Sequence, residues 1–175
     1  MTSFAALFLL LANPVGDAQP TATDPRMLFA ELVAEIGQGE PATVDAMFIN
    51  VQKCNALLDS KGIDFAELAD GWKVRSHDAE GTIFTTLGFF ILHIVDAKAG
   101  VTMCMVTGRV GEDADSVAKK FAGQLGVTPR FIGSIKDKTV NPRWSIEAKG
   151  QIYLVNDAIQ PPAGVGIVVG KPNRK

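Results

Sequence analysis

The sequence has too few metal-binding side chains for a dedicated zinc site. Its 175 residues include two histidines and two cysteines, and no HExxH or paired-cysteine spacing is present. No GxSxG elbow occurs either. The glycine-rich stretch GVGIVVG (164–170) lies in a strand-rich tail rather than ahead of a helix, so it does not fit a phosphate-binding loop. We therefore expect no metal and no cofactor.

The sequence also lacks a predominant sign of charge. Its formal net charge is -2, and no basic stripe with interleaved aromatic residues is visible, which argues against a nucleic-acid partner. The basic cluster KPNRK (171–175) is typical of a solvated tail. By contrast, 47% of the residues are hydrophobic, which is enough apolar material for a core.

No apolar run is long enough to cross a bilayer as a helix. The run FAALFLLLA (4–12) suits the core of a signal peptide, an Asn-Pro pair ends it, and Gly16 and Ala18 supply the small residues that a signal peptidase reads. We predict a signal peptide over 1–18, a linker over 19–25 and one domain over 26–175. The protein would then be periplasmic or secreted, with no integral membrane segment after cleavage. The alternative is that the run forms a buried first helix.

Hydrophobic periodicity predicts helices in the first part of the chain. A first helix follows Pro25, with Leu32 and Ile36 on its apolar stripe. A second starts near Thr43 and carries Cys54 on its core-facing side. A short third helix is expected over 64–70, where DFAE resembles a capping box.

Beyond Trp72 the pattern favours strands. TIFTTLGFFILHIVD (82–96) and VTMCMVTGRV (101–110) are joined by AKAG, which predicts a hairpin that pairs His93 with Cys104. A helix is expected over 114–125, and the bursts RFIGSI, RWSIEA, QIYLVN and VGIVVG read as further antiparallel strands. The sequence thus predicts an α+β fold: an antiparallel β-sheet with helices packed on one face, and N-terminal helices followed by β-β-α-β-β-β.

Three interpretations compete for Cys104. In an exported protein, two cysteines on predicted core faces favour a Cys54–Cys104 disulfide, which would join the second helix to the sheet. A second interpretation pairs Cys104 with His93 as an activated thiolate, although the surroundings are apolar. A third makes Cys104 a soft-metal ligand with its neighbouring methionines, but strand alternation points those methionines to the opposite face. The disulfide is the favoured interpretation.

Two further groups of residues are candidates for function. His77 and Asp78 in the polar turn SHDAEG, or His93, could serve a histidine-centred catalytic site. Trp72, Arg143 and Trp144 are candidates for recognition, although the alternation of Trp144 with Ile146 favours packing.

The spacing Phe48-x5-Cys54, followed by Gly71-Trp72 and by a strand that carries Cys104, resembles small exported alphaproteobacterial proteins of unknown function. The similarity covers residues 42 to 107. It implies periplasmic residence and a disulfide between helix and sheet, but no activity. We therefore expect a binding or interaction module for an envelope protein or a small apolar ligand. The alternative is a small hydrolase with a histidine-centred site.

Overall fold

The computed structural model describes residues 31–59 (except 33, 37 and 39), 71–77, 81–96, 101–133, 142–157 and 164–170. The predicted signal peptide, linker and third helix lie outside these residues, and so does Asp78. The elements in chain order are α1 (Val44–Asp59), β1 (Lys73–His77), β2 (Gly81–Thr86), β3 (Phe89–Asp96), β4 (Val101–Gly108), α2 (Ala114–Leu125), β5 (Arg130–Phe131), β6 (Pro142–Ala148), β7 (Gln151–Asp157) and β8 (Val165–Gly170).

All eight strands form one antiparallel sheet in the order β1-β2-β3-β4-β8-β7-β6-β5. Each half of the described chain is therefore a helix followed by a four-stranded meander, and the two meanders meet where β4 pairs with β8. The predicted α+β class and antiparallel sheet are confirmed. The strand count differs from the prediction before α2, where four strands rather than two are present, whereas the four strands after α2 fall in the four stretches predicted as strands.

Two local features explain the missed strands. The apolar stretch 82–96 is two strands rather than one, because Leu87 and Gly88 form a turn and Gly88 adopts a φ of +76°. This left-handed conformation is easy for glycine and strained for other residues. β1 was missed because its sequence, KVRSH, is polar and lies at the exposed edge of the sheet.

The helices begin at capping side chains. The hydroxyl of Thr43 accepts a hydrogen bond from the Ala46 amide (3.1 Å), and the carboxylate of Asp113 accepts one from the Ser116 amide (2.8 Å). Gly126 ends α2 in the left-handed region, with a φ of +70°. The bounds predicted for this helix are confirmed.

One row of apolar side chains runs through the main core and becomes exposed at its two ends, Val74 and Phe131. It crosses every strand through directly paired residues: Val74, Phe84, Ile91, Val106, Ile167, Val155, Trp144 and Phe131. Both α1 and α2 pack on this face of the sheet, and they meet each other through the rings of Phe48 and Phe121, whose centroids lie 4.9 Å apart.

The opposite face of the sheet is also apolar. Its buried cluster comprises Leu32, Phe90, Met103, Met105 and Val168. Leu32 belongs to helical residues that precede α1, so the prediction that the helices pack on one face holds for α1 and α2 only. Burial on both faces accounts for the continuous apolar runs of β3 and β4, which do not alternate with polar residues.

Candidate ligand-binding cleft

A cleft of about 810 Å³ opens at the end of the sheet where β2 turns into β3. We call it the hairpin cleft. Three segments that are distant in sequence form its walls: the helical residues around Leu32, the start of α1, and the β2–β3 turn with the adjoining end of β1. The lining residues are Leu32, Glu35, Ile36, Glu40, Pro41, Ala42, Thr43, Ala46, Gly71, Lys73, Arg75, Thr85, Thr86, Leu87, Gly88 and Phe89.

Apolar side chains make up most of its wall. Leu32 and Phe89 are buried within it, whereas Leu87 stands at its lip with 94% of its surface exposed. Ala42 and Ala46 keep the α1 side open, because a methyl group occupies little of the space between helix and turn. Gly88 fits closely there: a β-carbon at this position would lie 3.1 Å from that of Ala42.

The rim of the hairpin cleft carries both signs of charge. The guanidinium of Arg75 in β1 contacts the carboxylate of Glu35 at 3.0 Å. Both side chains are substantially exposed to solvent, so this ion pair adds little to stability. Its effect is to connect the helical residues before α1 with the edge strand. Glu40 and Lys73, both exposed, add one further charge of each sign.

Trp72 supports the hairpin cleft from behind. Its indole is 7% exposed, lies against Phe84 with ring centroids 5.2 Å apart, and donates from Nε1 to the side-chain oxygen of Asn50 at 2.9 Å. Asn50 in turn donates to the carbonyl of Ala46 at 3.0 Å. The neighbours of Trp72 on either side, Gly71 and Lys73, line the cleft. Trp72, which the sequence suggested as a recognition residue, is therefore a core residue that holds the adjacent cleft wall in place. Almost none of its own surface is available to a ligand.

Neither histidine lines the hairpin cleft. His77 is exposed on β1, and its Nδ1 lies 2.7 Å from the hydroxyl of Thr82. Thr82 also pairs across the sheet with His93, so one buried threonine separates the two. His93 is 4% exposed, its Nε2 has no hydrogen-bond partner, and burial lowers its pKa from the ordinary value. A neutral, enclosed imidazole is the expected state at neutral pH.

The disulfide between Cys54 and Cys104 is present, with the two α-carbons 5.7 Å apart. It joins α1 to β4, and both cysteines are fully buried. Cys104 pairs with His93 in the predicted register, but with its sulfur in the disulfide it has no thiol for that histidine to activate. The predicted pairing of Cys54 with Cys104 is confirmed.

Trp144 lies at the opposite edge of the sheet. Its Nε1 donates to a carboxylate oxygen of Asp115 at 2.7 Å, and the ammonium of Lys119 lies 5.9 Å from its ring centroid. Phe131 contacts it edge-on, with centroids 5.1 Å apart. Trp144 is half-buried and thus combines packing with partial exposure. Arg143 lies beside it in β6, but its side chain is outside the described part of the structure.

A ring of hydrogen bonds joins α1 to β7, and it was not predicted from the sequence. The amide of Asn55 donates to the Tyr153 hydroxyl at 2.8 Å and to the Gln151 side-chain oxygen at 2.6 Å, and that hydroxyl donates to the same oxygen at 2.7 Å. Burial raises the pKa of Tyr153, so its hydroxyl stays protonated at neutral pH. Asn55 lies 96 residues from Gln151 and 98 from Tyr153, and no local pattern could have grouped it with them.

Within the described ranges, no group of three or more His, Cys, Asp or Glu side chains is placed to hold a metal ion. No helix there is long and apolar enough to cross a membrane. Comparisons with protein-family models, with curated proteins and with solved structures return no match.

Proposed function

We propose that this protein is a binding module that holds a small, largely apolar ligand in the hairpin cleft. The observation that carries this proposal is the cleft itself, whose volume of about 810 Å³ falls within the range typical of small-molecule sites. Such sites combine mostly apolar walls with a few polar groups that orient the ligand. Leu32, Ala46 and Phe89 supply apolar wall, and Thr43 and Thr85 supply hydroxyl groups.

The charged rim suggests which ligands suit the site. Glu35 and Arg75 neutralise each other, and Glu40 and Lys73 balance in charge, so the rim favours neither anions nor cations as a class. An apolar body with a neutral or zwitterionic polar end fits this arrangement best. The alternative function, a hydrolase centred on His77 or His93, has less support because neither side chain reaches the cleft and His93 is buried.

The disulfide supports placing the module in an oxidising compartment. Disulfides persist in secreted and periplasmic proteins and are rare where thiols are kept reduced. Together with the predicted signal peptide over 1–18, this favours a periplasmic or secreted protein. Intact mass before and after reduction and alkylation tests the proposal in the exported protein. Two thiols that alkylate without reduction would contradict it, and a mass that retains residues 1–18 would contradict the predicted cleavage.

Binding can be tested with N-phenyl-1-naphthylamine, a neutral apolar molecule that fluoresces when it leaves water. We expect saturable binding with one site per chain. Ala46→Phe should weaken it at least tenfold, because the new ring enters the hairpin cleft from α1. Ala56→Phe is the matched control: it places the same ring at an exposed position of the same helix. Probe binding that does not saturate, or equal affinity in both variants, would refute the cleft as the site.

A further inference from the structure

The two edges of the sheet differ in how they meet solvent. At the β1 edge the register shifts between Val74 and Ser76, where Arg75 is the extra residue, and Lys73 lies just before it. A bulge and long cationic side chains are features by which proteins prevent an edge strand from pairing with another chain. The β1 edge is therefore protected.

The opposite edge exposes two large apolar side chains in succession. Phe131 is 59% exposed and the adjacent Ile132 is 40% exposed. Phe131 contacts Trp144, and we refer to these three residues as the aromatic edge. Asp115 and Lys119 of α2 hold the indole in place, and the Phe131 ring packs against it. Contiguous exposed apolar residues of this kind mark interaction sites.

The charge around the aromatic edge is positive. Arg130 and Lys119 are exposed, and neither makes an ion pair with a carboxylate within the part of the chain that the structure describes. The nearby carboxylate of Asp115 accepts the hydrogen bond from the Trp144 indole and keeps its negative charge, so the two cations exceed this carboxylate by one. A partner would therefore meet apolar side chains flanked by two cations.

We propose that the β5 edge binds an extended, acidic segment of a partner protein. The segment would add a strand beside β5, place its aliphatic or aromatic side chains against Phe131 on the face that carries α2, and direct its alternating carboxylates at Arg130 on the other face. Strand addition to an open sheet edge is an established mode of peptide recognition, in which backbone hydrogen bonds give affinity and alternate side chains give specificity. This surface is separate from the hairpin cleft, and the proposal does not depend on what the cleft binds.

The test uses the full-length processed protein and a dye-labelled peptide that alternates acidic and apolar residues, Glu-Val-Glu-Phe-Glu-Val. We expect saturable binding by fluorescence anisotropy. Phe131→Ser should weaken it at least fivefold through lost apolar contact, and Arg130→Glu at least as much through charge repulsion. Leu87→Ser is the matched control. It removes an exposed apolar side chain from the β2–β3 turn, far from β5 in the sheet, and should leave the affinity for the peptide unchanged.

Three results would overturn the proposal. The first is equal binding of the peptide Lys-Val-Lys-Phe-Lys-Val, which would show that charge plays no part. The second is association with phosphatidylglycerol vesicles that Phe131→Ser abolishes while peptide binding is absent, which would assign the surface to lipid. The third is concentration-dependent dimerisation that the same variant abolishes, which would make a second copy of this chain the occupant.

Discussion

At the scale of single residues, the most unusual side chain is the buried imidazole of His93. It is 4% exposed, and its Nε2 makes no hydrogen bond. Burial without a partner lowers its pKa, because the enclosed site disfavours the charged form. It pairs across the sheet with Thr82 and Cys104, neither of which carries a charge. The position is therefore adapted to a neutral ring.

This arrangement predicts that acidification destabilises the fold. The unfolded chain takes up a proton at His93 near pH 6.5, whereas the folded chain does so only at lower pH, so stability falls as the pH drops below about 6.5. The loss has a limiting slope of about 1.4 kcal/mol per pH unit between the two pKa values. Urea unfolding of His93→Gln at pH 7.5 and 5.5 should show a smaller loss than the wild type shows. An unchanged loss in the variant would assign the pH dependence to other groups.

At the scale of elements, the sequence could predict what depends on local pattern. The bounds of α2 followed from its caps and its period, and the register of β3 with β4 followed from the length of their connection. The hairpin cleft could not be predicted, because Leu32, Ala46 and Leu87 come together only when three separate segments pack. The sequence placed Phe131 in a strand but could not predict its exposure, because that exposure depends on the position of β5 at the edge of the sheet.

The disulfide is the covalent link between elements, and its removal should be costly. It closes a loop between residues that are 50 positions apart, for which chain-entropy arithmetic gives about 4 kcal/mol. Cys54→Ala combined with Cys104→Ala should lower the free energy of unfolding by about that amount, measured by urea denaturation. The wild type under reducing conditions is the comparison, and it should approach the stability of the double variant. A loss below 1 kcal/mol would show that packing of α1 on β4 suffices without the bond.

At the scale of the whole molecule, β8 completes the sheet although it is the last strand in the chain. It pairs with β4 on one side and β7 on the other, and all six of its residues are buried. The two meanders share no other strand pairing within the described residues. The strand therefore joins the two halves.

A chain that ends at residue 163 should fail to fold cooperatively. Without β8, both β4 and β7 lose a partner strand, and buried residues such as Val106 and Val155 face solvent. The matched control ends at Gly170, which keeps the whole strand and should unfold in a single sharp transition. Thermal unfolding followed by circular dichroism distinguishes the two. Cooperative melting of the shorter chain near the temperature of the control would contradict the role assigned to β8.

The position of β8 also bears on the order in which the protein acquires its structure. If the chain enters the compartment where it folds N-terminus first, β8 arrives after everything it joins, and the first meander waits for more than fifty residues with one flank of β4 open. Pairing β8 with β4 then requires contacts between distant parts of the chain, which form slowly compared with hairpins. During that interval the incomplete sheet is prone to aggregation through the unpaired edge of β4. A chaperone that binds unpaired strands would bind at this edge.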